Sequence, residues 1–247
     1  MMPLWQRNLR ILWAAQFIAM IGMSACLPFL PLYVRALGVS DLESAQRWSG
    51  IINSAPFVFS VIASPIWGAL GDRYGRKLMV SRAIIGLAIS MTIMGFAVNV
   101  WQLFILRLLQ GAISGFIAAS LAFVSATTPP GRSGYAIGVL QSTVAAGGIV
   151  GAMFGGALSD LIGMNNVFFV VGSLCLVSAG IIIKYIVEPP EVSEKSQSSS
   201  VVKNFRFAAT NSKLRNILML IIFTQISIVF VTPIIPFYLE NLGTPIK

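Results

Sequence analysis

Arg107 stands alone as a charge in a long apolar stretch, with Gln110, Gly111, Ser114, Gly115 and Ala118 following at helical spacing. That spacing lines up a guanidinium and a small, partly polar strip on one helix face. An arginine so placed either faces the interior of a bundle or snorkels toward an interface. Trp101 lies about 9 Å away along such a helix, so both remain open. A second cluster, Gly68-Ala-Leu-Gly-Asp-Arg-Tyr-Gly-Arg-Lys77, sets Asp72 against Arg73, Arg76 and Lys77 among Gly68, Gly71 and Gly75. Glycines allow a tight turn between packed helices. A carboxylate at a helix boundary accepts bonds from helix N-termini and arginines, as a latch would. In a third cluster, Gly138, Gly147, Gly151, Gly155 and Gly156 read G-x8-G-x3-G-A-x2-G-G, with Ala152 after the third glycine. Gly147, Gly151 and Gly155 form a small-xxx-small ridge suited to close helix packing.

None of this is group-transfer chemistry. The chain has no histidine, so the usual general base, triad member and metal ligand are absent. Cys26 and Cys175 lie far apart in apolar runs, form no CxxC, and read as small buried residues. There is no Walker or other nucleotide signature. We therefore expect no enzyme, no cofactor and no metal site.

The elements that must hold these residues are membrane helices. Of the 247 residues, 56% are hydrophobic and only 10% charged, and the mean hydropathy is +0.84. Soluble domains carry about 25% charge. The net charge of +9 would suit nucleic acid only if clustered on a wet face. Here the charges separate apolar windows at 11–34, 48–71, 83–106, 108–131, 133–159, 161–183 and 216–239. Each is long enough to cross a hydrocarbon core of about 30 Å. In this segmentation Arg107 is the only charge inside a span. The polar turn Asn99-Val-Trp-Gln102 separates the third and fourth helices. The expected fold is an all-α integral membrane protein with seven transmembrane helices.

With the N-terminus cytoplasmic, the inner side collects Arg7, Arg10, Arg73, Arg76, Lys77, Arg82, Arg132, Lys184 and the basic residues of 195–215. The outer side holds Arg35, Arg47 and Lys247. The positive-inside rule selects that orientation. The polar stretch 188–212, beginning Glu188-Pro-Pro, reads as a cytoplasmic linker after a six-helix half at 1–187. A shift of 205 residues superposes Pro28 on Pro233, Pro31 on Pro236, Tyr33 on Tyr238 and Leu37-Gly38 on Leu242-Gly243. Such repeats mark secondary transporters built from two similar halves. Residues 213–247 are then the first helix of a second half whose other helices this chain lacks. The expectation is a fragment or a prematurely ended product.

The Gly68–Lys77 segment resembles motif A of the major facilitator superfamily. In that family, the positions of Asp72 and Arg76 are associated with locking and releasing one conformation. Arg107-Leu-Leu-Gln-Gly111 resembles motif B, whose arginine is implicated in proton coupling. The glycines of the third cluster resemble motif C of the antiporters, although the family has proline where Ala152 stands. Trp48-Ser-Gly-Ile, Ile62-Ala-Ser-Pro-Ile-Trp-Gly68 and Gly75-Arg-Lys-Leu-Met79 look most like the bacterial MdtG-like multidrug efflux branch.

The resemblance implies an inner-membrane transporter that exports small amphipathic compounds in exchange for protons by alternating access. It needs the second half for full function and has no nucleic-acid partner. A metabolite or sugar importer of the same family, or an inactive product, are the alternatives. Residues chosen as cavity lining for polarity or soft bulk are Gln16, Met20, Asn53, Phe57 and Gln141, beside Arg107 and Gln110. No acid lies mid-span to carry the proton.

Overall fold

The computed structural model describes residues 2–189 except 27, 40 and 114, and also 210–212, 214–217, 219–220 and 223–224; of residue 42 it gives the backbone alone. The chain divides into two units, Met1–Ser198 and Ser199–Lys247. Most of the predicted seventh helix and of the linker lies outside the described residues. In the second unit, Asn211 starts a helical stretch, its carbonyl accepting from Arg215 N at 2.9 Å and its side chain from Leu214 N at 3.3 Å.

The first unit is all helix among its described residues: α1 Leu4–Ala25, α2 Leu30–Ala36, α3 Leu42–Tyr74, α4 Arg76–Met94, α5 Val100–Ile113, α6 Phe116–Thr127, α7 Ser133–Ile162 and α8 Met164–Tyr185. Five spans are long and apolar enough to cross a membrane, with α5 and α6 together forming one of them. The α1–α2 pair, bent by 51°, makes a sixth. Six of the seven predicted windows thus find their helices.

Local chemistry sets the boundaries. Asp41 caps α3, its carboxylate accepting from Ser44 N at 2.8 Å. Gly75 (φ +98°) and Gly163 (φ +82°) turn the chain between α3 and α4 and between α7 and α8. In the predicted polar turn, Asn99 Oδ1 accepts from Gln102 N at 2.9 Å and so caps α5. Several boundaries differ from the charge-free windows: α3 begins at Leu42, α4 ends at Met94 and α5 begins at Val100. The sequence reading starts the third span after Arg82, but α4 begins at Arg76, which places Arg82 inside the span.

The candidate spans are apolar over most of their length, so small residues and polar contacts, more than amphipathic stripes, organise the bundle. α1 packs chiefly on α7 and α8, α4 on α8, and α3 on α5. α1 and α7 run parallel: Trp13 Nε1 donates to Ser142 Oγ at 3.2 Å, and farther along Gly155 lies against Ala25. α4 carries the most buried span, while only about a fifth of the α3 and α7 spans is buried. Phe57, Val61, Met153 and Phe154 leave broad apolar faces uncovered on those two helices.

Candidate functional site

At one end of the bundle, the turn between α3 and α4 is held from three sides. Arg76 Nη2 pairs with Asp72 Oδ1 at 3.2 Å, and its Nη1 donates to Ala122 O of α6 at 2.8 Å. Lys77 Nζ donates to Ile183 O of α8 at 2.9 Å. Glu188, just past α8, accepts from the backbone N–H of Arg76 at 2.7 Å and of Lys77 at 3.0 Å. A carboxylate at a helix N-terminus satisfies orphan donors and meets the positive end of the helix dipole. A Cβ on Gly75 would stand 2.9 Å from Glu188 Oε2, so the glycine serves both the turn and the cap. Asn8 fastens the neighbouring residue, donating to Val187 O at 2.7 Å and accepting from Val187 N at 3.2 Å.

The Asp72–Arg76 pair is about a third exposed on each side and contributes about 1 kcal/mol or less. The cap is the stronger tie. Glu188→Ala is expected to destabilise the half by about 1–2 kcal/mol, and Glu188→Gln, which keeps an acceptor, by less. Thermal unfolding of the purified protein in detergent checks the order. The sequence reading missed Glu188, because a glutamate before Pro189 and Pro190 reads as the start of a linker.

Arg107 is 6% exposed. Its Nη1 donates to Gln110 Oε1 at 3.1 Å within α5, and its Nε has no partner among the described atoms. It sits in the bundle, not at the Trp101 end, where Trp48, Trp101 and Phe104 cluster edge to face. Gly111 is where α5 touches α3 through bare backbone: a Cβ there would stand 1.9 Å from Pro56 O. Beyond Ile113 the span is interrupted at Gly115, whose φ is +82°, before α6 starts at Phe116. Trp67 Nε1 donates to Ala112 O at 2.7 Å, and Arg82 Nη1 donates to Ile113 O at 2.7 Å. The Arg82 guanidinium lies 3.4 Å from the centroid of the Trp67 ring. Ser114 lies outside the described residues.

A cavity of about 280 Å³ joins these two regions, lined by Trp67, Gly68, Asp72, Arg76 and Arg82 together with Gly111 and Gly115. The sequence reading left Trp67 and Arg82 out of the site. Treating each arginine as the end of an apolar window hid the one that lies within α4. The signal was available in the run from Arg76 to Arg82, too short to be all loop if Gly75 ends the turn.

The glycine ridge of α7 packs on α1. Cβ atoms on Gly151 and Gly155 would stand 2.2 Å from Ile21 O and 2.1 Å from Ala25 O, and one on Gly147 would meet Met20 Cβ at 2.6 Å. Gly138 and Gly156 face open space, and Ala152 is exposed.

The five residues chosen as cavity lining separate. Gln16 and Met20 are buried in the α1–α7 seam. Gln16 Nε2 donates there to Thr143 Oγ1 at 2.8 Å and to Leu140 O at 3.1 Å. Asn53, Phe57 and Gln141 stand on uncovered faces. Among the described residues, no group of histidine, cysteine, aspartate or glutamate could hold a metal ion.

The profile of the Major Facilitator Superfamily matches residues 12–246. This chain belongs to that superfamily. It is 37% identical over 247 residues to the multidrug resistance protein MdtG of Proteus mirabilis, covering 98% of this chain and 60% of that protein. It is 38% identical over 245 residues to MdtG of Escherichia coli strain SMS-3-5, covering 97% and 59%. The fold resembles the crystal structure of the human organic anion transporter MFSD10 (TETRAN), with a TM-score of 0.69 and 19% identity, over 80% of this chain and 51% of that one. The chain thus spans about 60% of the relatives' length. It is a multi-pass membrane protein of a transporter family, not of an enzyme family.

Proposed function

We propose that this chain supplies the first half of a multidrug exporter, which works with a second set of helices by proton antiport and alternating access. The observation that carries the reading is the identity of 37–38% to multidrug resistance proteins along nearly the whole chain. The geometry supports it. Gly68, Gly71, Asp72 and Arg76 of the motif A segment and Gly111 of the motif B segment line one cavity between α3, α4 and the fourth span. Arg107 sits where a charge can influence a proton site without being solvated. The uncovered faces of α3 and α7, with Asn53, Phe57 and Gln141 on them, are the surfaces on which a second half would close a substrate path. The substrate class is small and amphipathic, met by soft apolar side chains.

The basic residues at the α3–α4 end support an orientation with the N-terminus in the cytoplasm, and the likeness to MdtG supports a bacterial inner membrane. The domain division follows: residues 1–187 the first half, 188–212 the linker, 213–247 the opening helix of the second half. The experiment is drug accumulation in cells expressing the full-length protein. The expected result is a lowered accumulation of amphipathic dyes that a protonophore abolishes, with drug-dependent proton release in vesicles. Uptake driven by a sugar or other metabolite, with no dye export, would replace this reading by an importer. Transport of neither would leave an inactive product.

A further inference from the structure

The interruption of the fourth span is unusual in having two side chains from other helices waiting at it. When a helix is cut, the carbonyls of its last turn lose their partners, and in a low-dielectric setting each bare carbonyl is costly. In a continuous helix Ala112 O and Ile113 O would accept from the amides of Phe116 and Ile117. Here Trp67 takes the first and Arg82 the second, each at 2.7 Å. The indole and guanidinium are themselves stacked at 3.4 Å. Gly86, one turn after Arg82 on the same face of α4, lets that helix come up to Ile113: a Cβ on it would stand 2.3 Å from Ile113 Cγ2. Gly115 provides the positive φ that a break needs.

We infer that Trp67 and Arg82 are positioning residues that keep the fourth span interrupted at Gly115, by capturing the two carbonyls a continuous helix would use. The interruption divides two functions. The outer part, α5, carries Arg107 and Gln110 and is tied by Gly111 to Pro56. The inner part, α6, is held by Arg76 through Ala122 O. With the joint held open, the Arg76 contact can change without forcing the Arg107 segment to follow as a rigid rod. Arg82 is suited to the task because its flat fork stacks on an indole while still donating in plane, which lysine cannot do.

The test is amide hydrogen exchange of the full chain in nanodiscs, read at the amides of Phe116 and Ile117, and it does not depend on whether the protein transports. In Arg82→Met the freed carbonyl takes its helical partner, and exchange at these two amides is expected to slow about tenfold or more. Trp67→Phe, which keeps the ring and deletes only the N–H, is expected to slow Phe116, and Arg82→Lys to fall between wild type and Arg82→Met. Peptides in α1 and α7 report whether each variant is folded. If Arg82→Met does not fold, Trp67→Phe decides alone. Unchanged or faster exchange at Phe116 and Ile117 in the folded variants overturns the inference.

Discussion

Gly111→Ala is expected to destabilise the protein by about 2–3 kcal/mol, the upper part of the range for overpacking. The added methyl would lie 1.9 Å from Pro56 O, and Pro56 C and Cα are the next atoms at 2.6 and 2.7 Å. None of these is the end of a flexible side chain, so either α3 or α5 must move. Movement there also disturbs Gln110 and, through it, Arg107. Gly155→Ala meets Ala25 O at 2.1 Å in the same manner and is expected to be about as severe. Gly156→Ala provides the internal control. Its methyl points to open space, so its effect should stay within about 0.5 kcal/mol. Thermal unfolding midpoints of the three variants in one detergent check this, and equal midpoints for Gly155→Ala and Gly156→Ala would refute the packing account.

If the proposed proton-driven drug export holds, Arg107→Met is expected to reduce it tenfold or more, while leaving the thermal midpoint unchanged or raised. The two effects diverge for a physical reason. A charge that is 6% exposed, with one side-chain partner in Gln110 and Nε unpartnered among the described atoms, is retained against a desolvation cost. Replacing such a group with an apolar side chain of similar length is often neutral or stabilising. A residue kept at a cost to stability is kept for function. Arg107→Lys retains the charge but not the planar fork that reaches Gln110 Oε1, so it is expected to recover little export. Normal export by Arg107→Met, measured alongside its unfolding curve, would remove Arg107 from the mechanism.

How much of this was legible in the sequence depends on which physical signal each feature leaves. Spans announce themselves by length and by charge-free windows, and six of the seven find helices, the third and fourth displaced toward the N-terminus of their windows. Motif A residues announce themselves by glycine and charge spacing, and the structure brings Asp72 to Arg76 within the turn. Tertiary partners leave no such mark in a membrane. Lipid is as apolar as a bundle core, so hydrophobic periodicity does not say which face is inside. Gln16 and Met20 therefore looked like cavity lining, but they fill the seam between α1 and α7. The same rule that finds the spans places Arg82 in a loop. Glu188 makes two bonds to a helix more than a hundred residues earlier, and nothing near it in sequence signals that. The glycines of α7 showed that some helix comes close, not that it is α1.

That seam has a mechanical consequence. Along Gly151 and Gly155, α7 meets the carbonyls of α1 directly, with no knobs to lift out of holes there, whereas Met20 at Gly147 and the bonds of Trp13 and Gln16 to α7 pin the other end of the seam. The α4–α8 contact is different, for Phe169 presses on Gly95 and Thr92 on Gly172, so displacement there must first turn side chains out of the way. Slip between α1 and α7 is therefore easiest at the Gly151–Gly155 end of their seam. Pinned at one end and smooth at the other, the two helices are built to pivot rather than to shear.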